Sequence, residues 1–161
     1  MKIIEQVFKM PKRIPFIKGQ KPDREYDLDN EAQLNELGLN TKHDSKIADK
    51  YVHYQNCKHA VIELKSSSLH KAIEQVEATV ERLIHVGKTV DYIIVVMDGL
   101  NRYERRLFKR RDRNHVLINP NTNKPYQVKA GGHVWNILIF YSSEVDKMYR
   151  GLNKYFSGGS D

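Results

Sequence analysis

The residues of this 161-residue chain best suited to chemistry sit in the run His59-Ala60-Val61-Ile62-Glu63-Leu64-Lys65. Its β-branched, apolar character predicts a short buried strand over 60–65. Side chains at i and i+2 of a strand share a face. Glu63 and Lys65 are therefore expected to point together, with Ile62 and Leu64 on the other side. A carboxylate and an ammonium at a buried strand end are costly unless something uses them. A divalent metal and a phosphate would use both. Mg²⁺ is hard and takes one or two carboxylates, completing its shell with water and phosphate oxygens. It activates a water and neutralises charge building on the phosphate, and a nearby ammonium steadies the developing anion. An ordinary solvated ion pair uses the same two residue types and is worth little.

The part still to be found is a second carboxylate. Asp49 opens the preceding segment, where Tyr51, Val52 and Tyr54 favour a strand. A turn at Gln55-Asn56 or just after it lays that strand antiparallel to 60–65 and brings Asp49 toward Glu63. Asp44 is the alternative, in a register where 41–45 approach the strand end. The backbone carbonyl of Leu64 is a further candidate ligand.

These residues need a scaffold. Leu69, Ala72, Ile73, Val76, Val80, Leu83 and Ile84 mark one face of a helix over 68–86, with Ser67 or Ser68 as N-cap and Gly87 as its stop. Asp91 to Met97 follows as a buried strand, and strand–helix–strand implies a right-handed crossover with parallel pairing. Before the site, 1–10 fit a short amphipathic helix, 18–30 read as a polar exposed loop, and Asp29 or Asn30 caps a helix over 31–37. After it, Val116–Ile118 and Tyr126–Val128 flank a turn and suggest a hairpin. Gly131-Gly132 precedes a buried strand over 134–141, Ser143 caps a last helix through Tyr155, and 157–161 read as a disordered tail. One α/β domain over 1–156 follows, with a mixed central sheet flanked by helices.

The pattern resembles the PD-(D/E)XK nuclease superfamily. The resemblance runs over 45–97: Asp49, thirteen intervening residues, Glu63-Leu64-Lys65, then the helix and the strand. Glu-Leu-Lys-Ser is particularly similar to archaeal Holliday-junction resolvases and other small nucleases of that fold. The resemblance implies a restriction-endonuclease-like αβββαβ core. It implies that Asp49 and Glu63 hold Mg²⁺ or Mn²⁺ with the Leu64 carbonyl, and that Lys65 assists the attacking water. Ser66 matches a position where such enzymes often carry a small polar residue. Gln75 resembles a supporting glutamine, and Glu5 the extra helix carboxylate, of some branches. Ala48 stands where the family motif has proline. The implied activity is metal-dependent hydrolysis of DNA phosphodiester bonds. The alternatives are a non-catalytic DNA-binding protein that keeps the fold, and a nuclease directed at RNA.

Charge agrees with a polyanionic partner. Lys+Arg exceed Asp+Glu by 27 to 20, a net +7 with a pI near 9.4. Much of that excess lies in Arg102, Arg105, Arg106, Lys109, Arg110, Arg111 and Arg113, against Glu104 and Asp112. Placed on a helix, Tyr103, Leu107 and Phe108 face inward and the Arg residues splay outward, as phosphate contacts require. A homodimer is compatible with this reading. One cysteine, Cys57, excludes an intrachain disulfide and suggests an intracellular, cytoplasmic protein. No apolar run approaches a membrane span. Cys57, His59 and His53 lack the paired spacing of a zinc site.

Overall fold

The computed structural model describes residues 14–39, 47–65, 68–99 and 110–158. Its centre is a six-stranded mixed sheet. In chain order the elements are β1 (Pro22–Asp27), α1 (Glu31–Glu36), β2 (Lys50–Tyr54), β3 (His59–Lys65), α2 (Leu69–His85) and β4 (Tyr92–Met97). Then come β5 (Arg110–Arg111), β6 (Leu117–Asn119), β7 (Lys124–Pro125), β8 (Gln127–Ala130), β9 (His133–Tyr141) and α3 (Ser142–Gly158). The sheet runs β1-β2-β3-β4-β9-β8, and β5-β6-β7 form a separate small sheet. β1, β2 and β3 are an antiparallel meander, β4 and β9 lie parallel to β3, and β8 returns antiparallel.

The crossover between β3 and β4 is built as the hydrophobic periodicity demands. Ser68 caps α2, its hydroxyl accepting from Lys71 N. Leu69, Ala72, Val76, Val80 and Leu83 are fully buried against one sheet face with Val61, Ile93, Val95 and Ile139. Each large aliphatic so buried contributes roughly 1.5–3 kcal/mol. Gly87 ends the helix region with φ +79°, a conformation that glycine adopts without strain. The opposite face packs Ile62, Ile94, Val96 and Phe140 under Val145 of α3 and under Ile14 and Ile17.

Three expectations are corrected. Residues 18–30 are not an exposed loop, because β1 occupies Pro22–Asp27 and pairs with β2 along its length. It is an edge strand, and only Tyr26 is buried, so its sequence PDREYD carries little apolar signal. The expected hairpin between 116–118 and 126–128 is divided: β6 pairs with β7, while β8 pairs with β9, setting Val128 opposite Trp135. The last helix continues past Tyr155 to Gly158, so the tail expected from 157 begins within it. The short helix after Asn30 forms as read, with the Asn30 side chain accepting from Gln33 N.

Candidate metal centre

Strand pairing places one of the two candidate carboxylates, Asp49. The β2–β3 ladder sets Lys50 opposite Ile62, so Asp49, one residue earlier, arrives beside Glu63. Two hydrogen bonds lock the corner reciprocally. Asp49 N donates to Glu63 Oε1 at 3.1 Å, and Leu64 N donates to Asp49 Oδ2 at 2.8 Å. Glu63 is 1% exposed. It faces the α2 side, since Val61, two residues earlier, packs against that helix. Position 65 falls on the same face by register and lies opposite Met97 of β4.

The segment 47–49 is not a strand, so other groups must hold it. Thr79 does so from α2: its hydroxyl accepts from Ala48 N at 2.7 Å and donates to Gln75 O at 2.7 Å. Gln75 Nε2 donates to Ile47 O at 3.4 Å, and Leu28 N donates to Asp49 O at 2.9 Å. Gln75 Oε1 is buried beside this segment without a hydrogen-bond partner among the described residues. Thr79 is a site residue that the sequence reading passed over. Its signal is a hydroxyl on the apolar stripe of α2, between Val76 and Val80.

The side-chain donors are all oxygen, the carboxylates of Asp49 and Glu63. The N–H and C=O of one strand residue face the same neighbour, so the Leu64 carbonyl faces the side from which Asp49 arrives. Hard oxygens of this kind suit Mg²⁺ or Mn²⁺ rather than zinc. A buried carboxylate beside a second one is a setting that favours a cation. Among the described residues, no three His, Cys, Asp or Glu side chains converge as metal ligands. A Mg²⁺ site with one or two carboxylates needs no such group.

The other expected residues fall as follows. Asp44, Glu5, Ser66 and the basic residues Arg102, Arg105, Arg106 and Lys109 lie outside the described residues, as does the side chain of Lys65. Arg110 and Arg111 form the short strand β5, which corrects the helical placement at that end of the segment. Arg111 clamps Glu144 with both guanidinium nitrogens, at 2.6 and 2.9 Å. Arg113 is exposed in the turn between β5 and β6. Cys57 is an exposed free thiol at φ +64°, and the rings of His53 and His59 pack edge to face. Burial, and then the neighbouring His59, hold the His53 imidazole below its ordinary pKa.

Among the described residues no helix is long and apolar enough to cross a membrane. No family model, no curated protein and no solved structure matches this chain.

Proposed function

We propose that this protein is a metal-dependent deoxyribonuclease with a restriction-endonuclease-like fold. The observation that carries the reading is the reciprocal locking of Asp49, Glu63 and Leu64 at the end of β3, one residue before Lys65. The order β1-β2-β3-α2-β4, with an antiparallel meander followed by a parallel crossover, supports it as the arrangement such a core requires. The chain's net charge of +7 supports a nucleic-acid partner.

In this reading Asp49, Glu63 and the Leu64 carbonyl hold Mg²⁺ or Mn²⁺. The bound ion lowers the pKa of water and offsets charge on the phosphate. Lys65 orients the attacking water and stabilises the anion that forms as it adds to phosphorus. Gln75 and Thr79 hold the 47–49 segment so that Asp49 keeps its distance from Glu63 when substrate binds. Arg102, Arg105, Arg106, Lys109, Arg110 and Arg113 supply backbone contacts that give affinity and salt dependence rather than sequence choice. Two such protomers would cut two strands.

The test is cleavage of linear, supercoiled, branched and single-stranded DNA with Mg²⁺ or Mn²⁺, set beside RNA. Wild type should cut at least one DNA, and Glu63→Gln and Lys65→Ala should each lose on the order of 100-fold in rate or more. No cleavage of any substrate, or unchanged cleavage by both variants, would sink the reading. DNA retention without cleavage would identify a binding protein on the same scaffold. Cleavage of RNA alone would move the substrate class.

A further inference from the structure

The sheet face opposite α2 holds a cavity of about 780 Å³ that the metal centre does not touch. Four aromatic rings line it, Phe16, Tyr92, His115 and Phe140, while Trp135 borders it from β9 with its indole packed on the α2 side. The rings are held in place. His115 stacks on Phe140 at 4.0 Å between centroids, and Phe16 tilts against Tyr149 at 4.9 Å. A cavity of this size with rigid aromatic walls loses little entropy when a flat ring enters.

Two cations line the same cavity, each on a tight turn. Lys18 and Gly19 both have positive φ, and Ile17 and Gln20 exchange backbone hydrogen bonds around them at 3.1 and 2.8 Å. Arg113 sits in a turn fastened by Asp112, whose Oδ1 accepts from Asn114 N at 2.8 Å and Val116 N at 3.1 Å. Neither Lys18 nor Arg113 makes an ion pair with a carboxylate among the described residues, in contrast to Arg111 nearby. The one acid in the lining, Asp91, already meets Lys58 and the ring and backbone N–H of His59. The Asn114 side chain adds an amide donor and acceptor of the kind that reads a base edge.

Flat rings for stacking, an amide for the edge and two uncommitted cations for a dianion describe one ligand class. We propose that this cavity binds a nucleotide through its base and its 5′-phosphate, the base stacking among the aromatic walls and the phosphate meeting Lys18 and Arg113. Base–aromatic stacking contributes roughly 1–3 kcal/mol and tolerates any base. The same chemistry is offered by a free mononucleotide and by the phosphorylated terminal nucleotide of a strand. The site is separate from the carboxylates of Asp49 and Glu63, so it does not depend on the cleavage reading.

Trp135 is the only tryptophan of the chain and borders the cavity, so its emission is a second readout beside the heat of binding. The full chain, with EDTA present, is titrated with AMP, adenosine and inorganic phosphate. It is then titrated with an oligodeoxynucleotide bearing either a 5′-phosphate or a 5′-hydroxyl, and calorimetry is run in parallel. AMP should bind saturably and about tenfold more tightly than adenosine, and Arg113→Ala and Lys18→Ala should each weaken it about tenfold. Displacement of AMP by the phosphorylated oligonucleotide, and not by the hydroxyl form, would support the proposal with a strand end as the source. Binding of AMP alone would support it with the free nucleotide as the source. Glu63→Gln should bind AMP as wild type does, whatever the outcome of the cleavage assay. The proposal is overturned by any of three results: neither emission nor heat responding to AMP or oligonucleotide, binding unmoved by both cation variants, or binding lost in Glu63→Gln.

Discussion

Asp49 owes its place to two hydrogen bonds from backbone N–H groups to carboxylate oxygens, its own N–H to Glu63 and the Leu64 N–H to its side chain. The Leu64 N–H needs an oxygen acceptor, and so does the Asp49 N–H. Amides can serve both, which separates structure from chemistry. Asp49→Asn keeps an oxygen for Leu64 and should melt within a few degrees of wild type, while metal-dependent cleavage falls on the order of 100-fold. Thermal denaturation and a cleavage time course on the same sample check it, and a collapse of Tm would mean that the carboxylate is structural. At this scale the sequence was informative about the burial of Glu63 and about the approach of Asp49 to it. The Asp49 pairing was legible because a tight hairpin fixes register from both sides. Thr79 and the buried Oε1 of Gln75 were not legible, because which oxygen meets which N–H depends on how α2 docks on the sheet.

Among the elements, α2 does two jobs. Its apolar stripe covers the sheet, and its Thr79 hydroxyl supplies the acceptor that a strand would have given Ala48. Thr79→Val keeps the shape and removes that acceptor, leaving a buried N–H unsatisfied. The expected cost is about 1–3 kcal/mol, read as a lower urea midpoint. Cleavage should fall as well, since the segment bearing Asp49 loosens. A variant as stable as wild type would show that Ala48 finds water instead. The strongly periodic elements, α2, β3, β4 and β9, were readable because each buries a long apolar face. β1 was not, because an edge strand with one buried side chain is written in polar residues. The small sheet β5-β6-β7 was misread too. The switch falls at Tyr126, whose N–H donates to Leu117 O of β6 while its carbonyl accepts from Ile137 N of β9.

For the whole molecule, α3 is tied to β5 by the Arg111–Glu144 pair. Burial alone would raise the Glu144 carboxyl. The Arg111 guanidinium and the Tyr141 N–H overcome this and hold it below the ordinary glutamate value. A carboxyl whose folded pKa is depressed stabilises the protein above its unfolded pKa and loses that contribution as pH falls through the folded value. Stability should therefore drop on acidification through and below the usual glutamate range. In Glu144→Gln that drop should be shallower, as measured by urea midpoints across the acid range; parallel curves would refute it. The two faces of the sheet thus differ, with the Asp49–Glu63 corner under α2 and the cavity under α3. They also come together at different times. Asp49 and Glu63 stand 14 residues apart and are closed by one short turn, whereas β9 must reach back from His133–Tyr141 to pair with β4. Short loops close at low entropic cost and early. A nascent chain would hold the parts of its acidic corner, the β2–β3 hairpin and the α2 residues that brace it, before the strand that walls the opposite cavity has been synthesised.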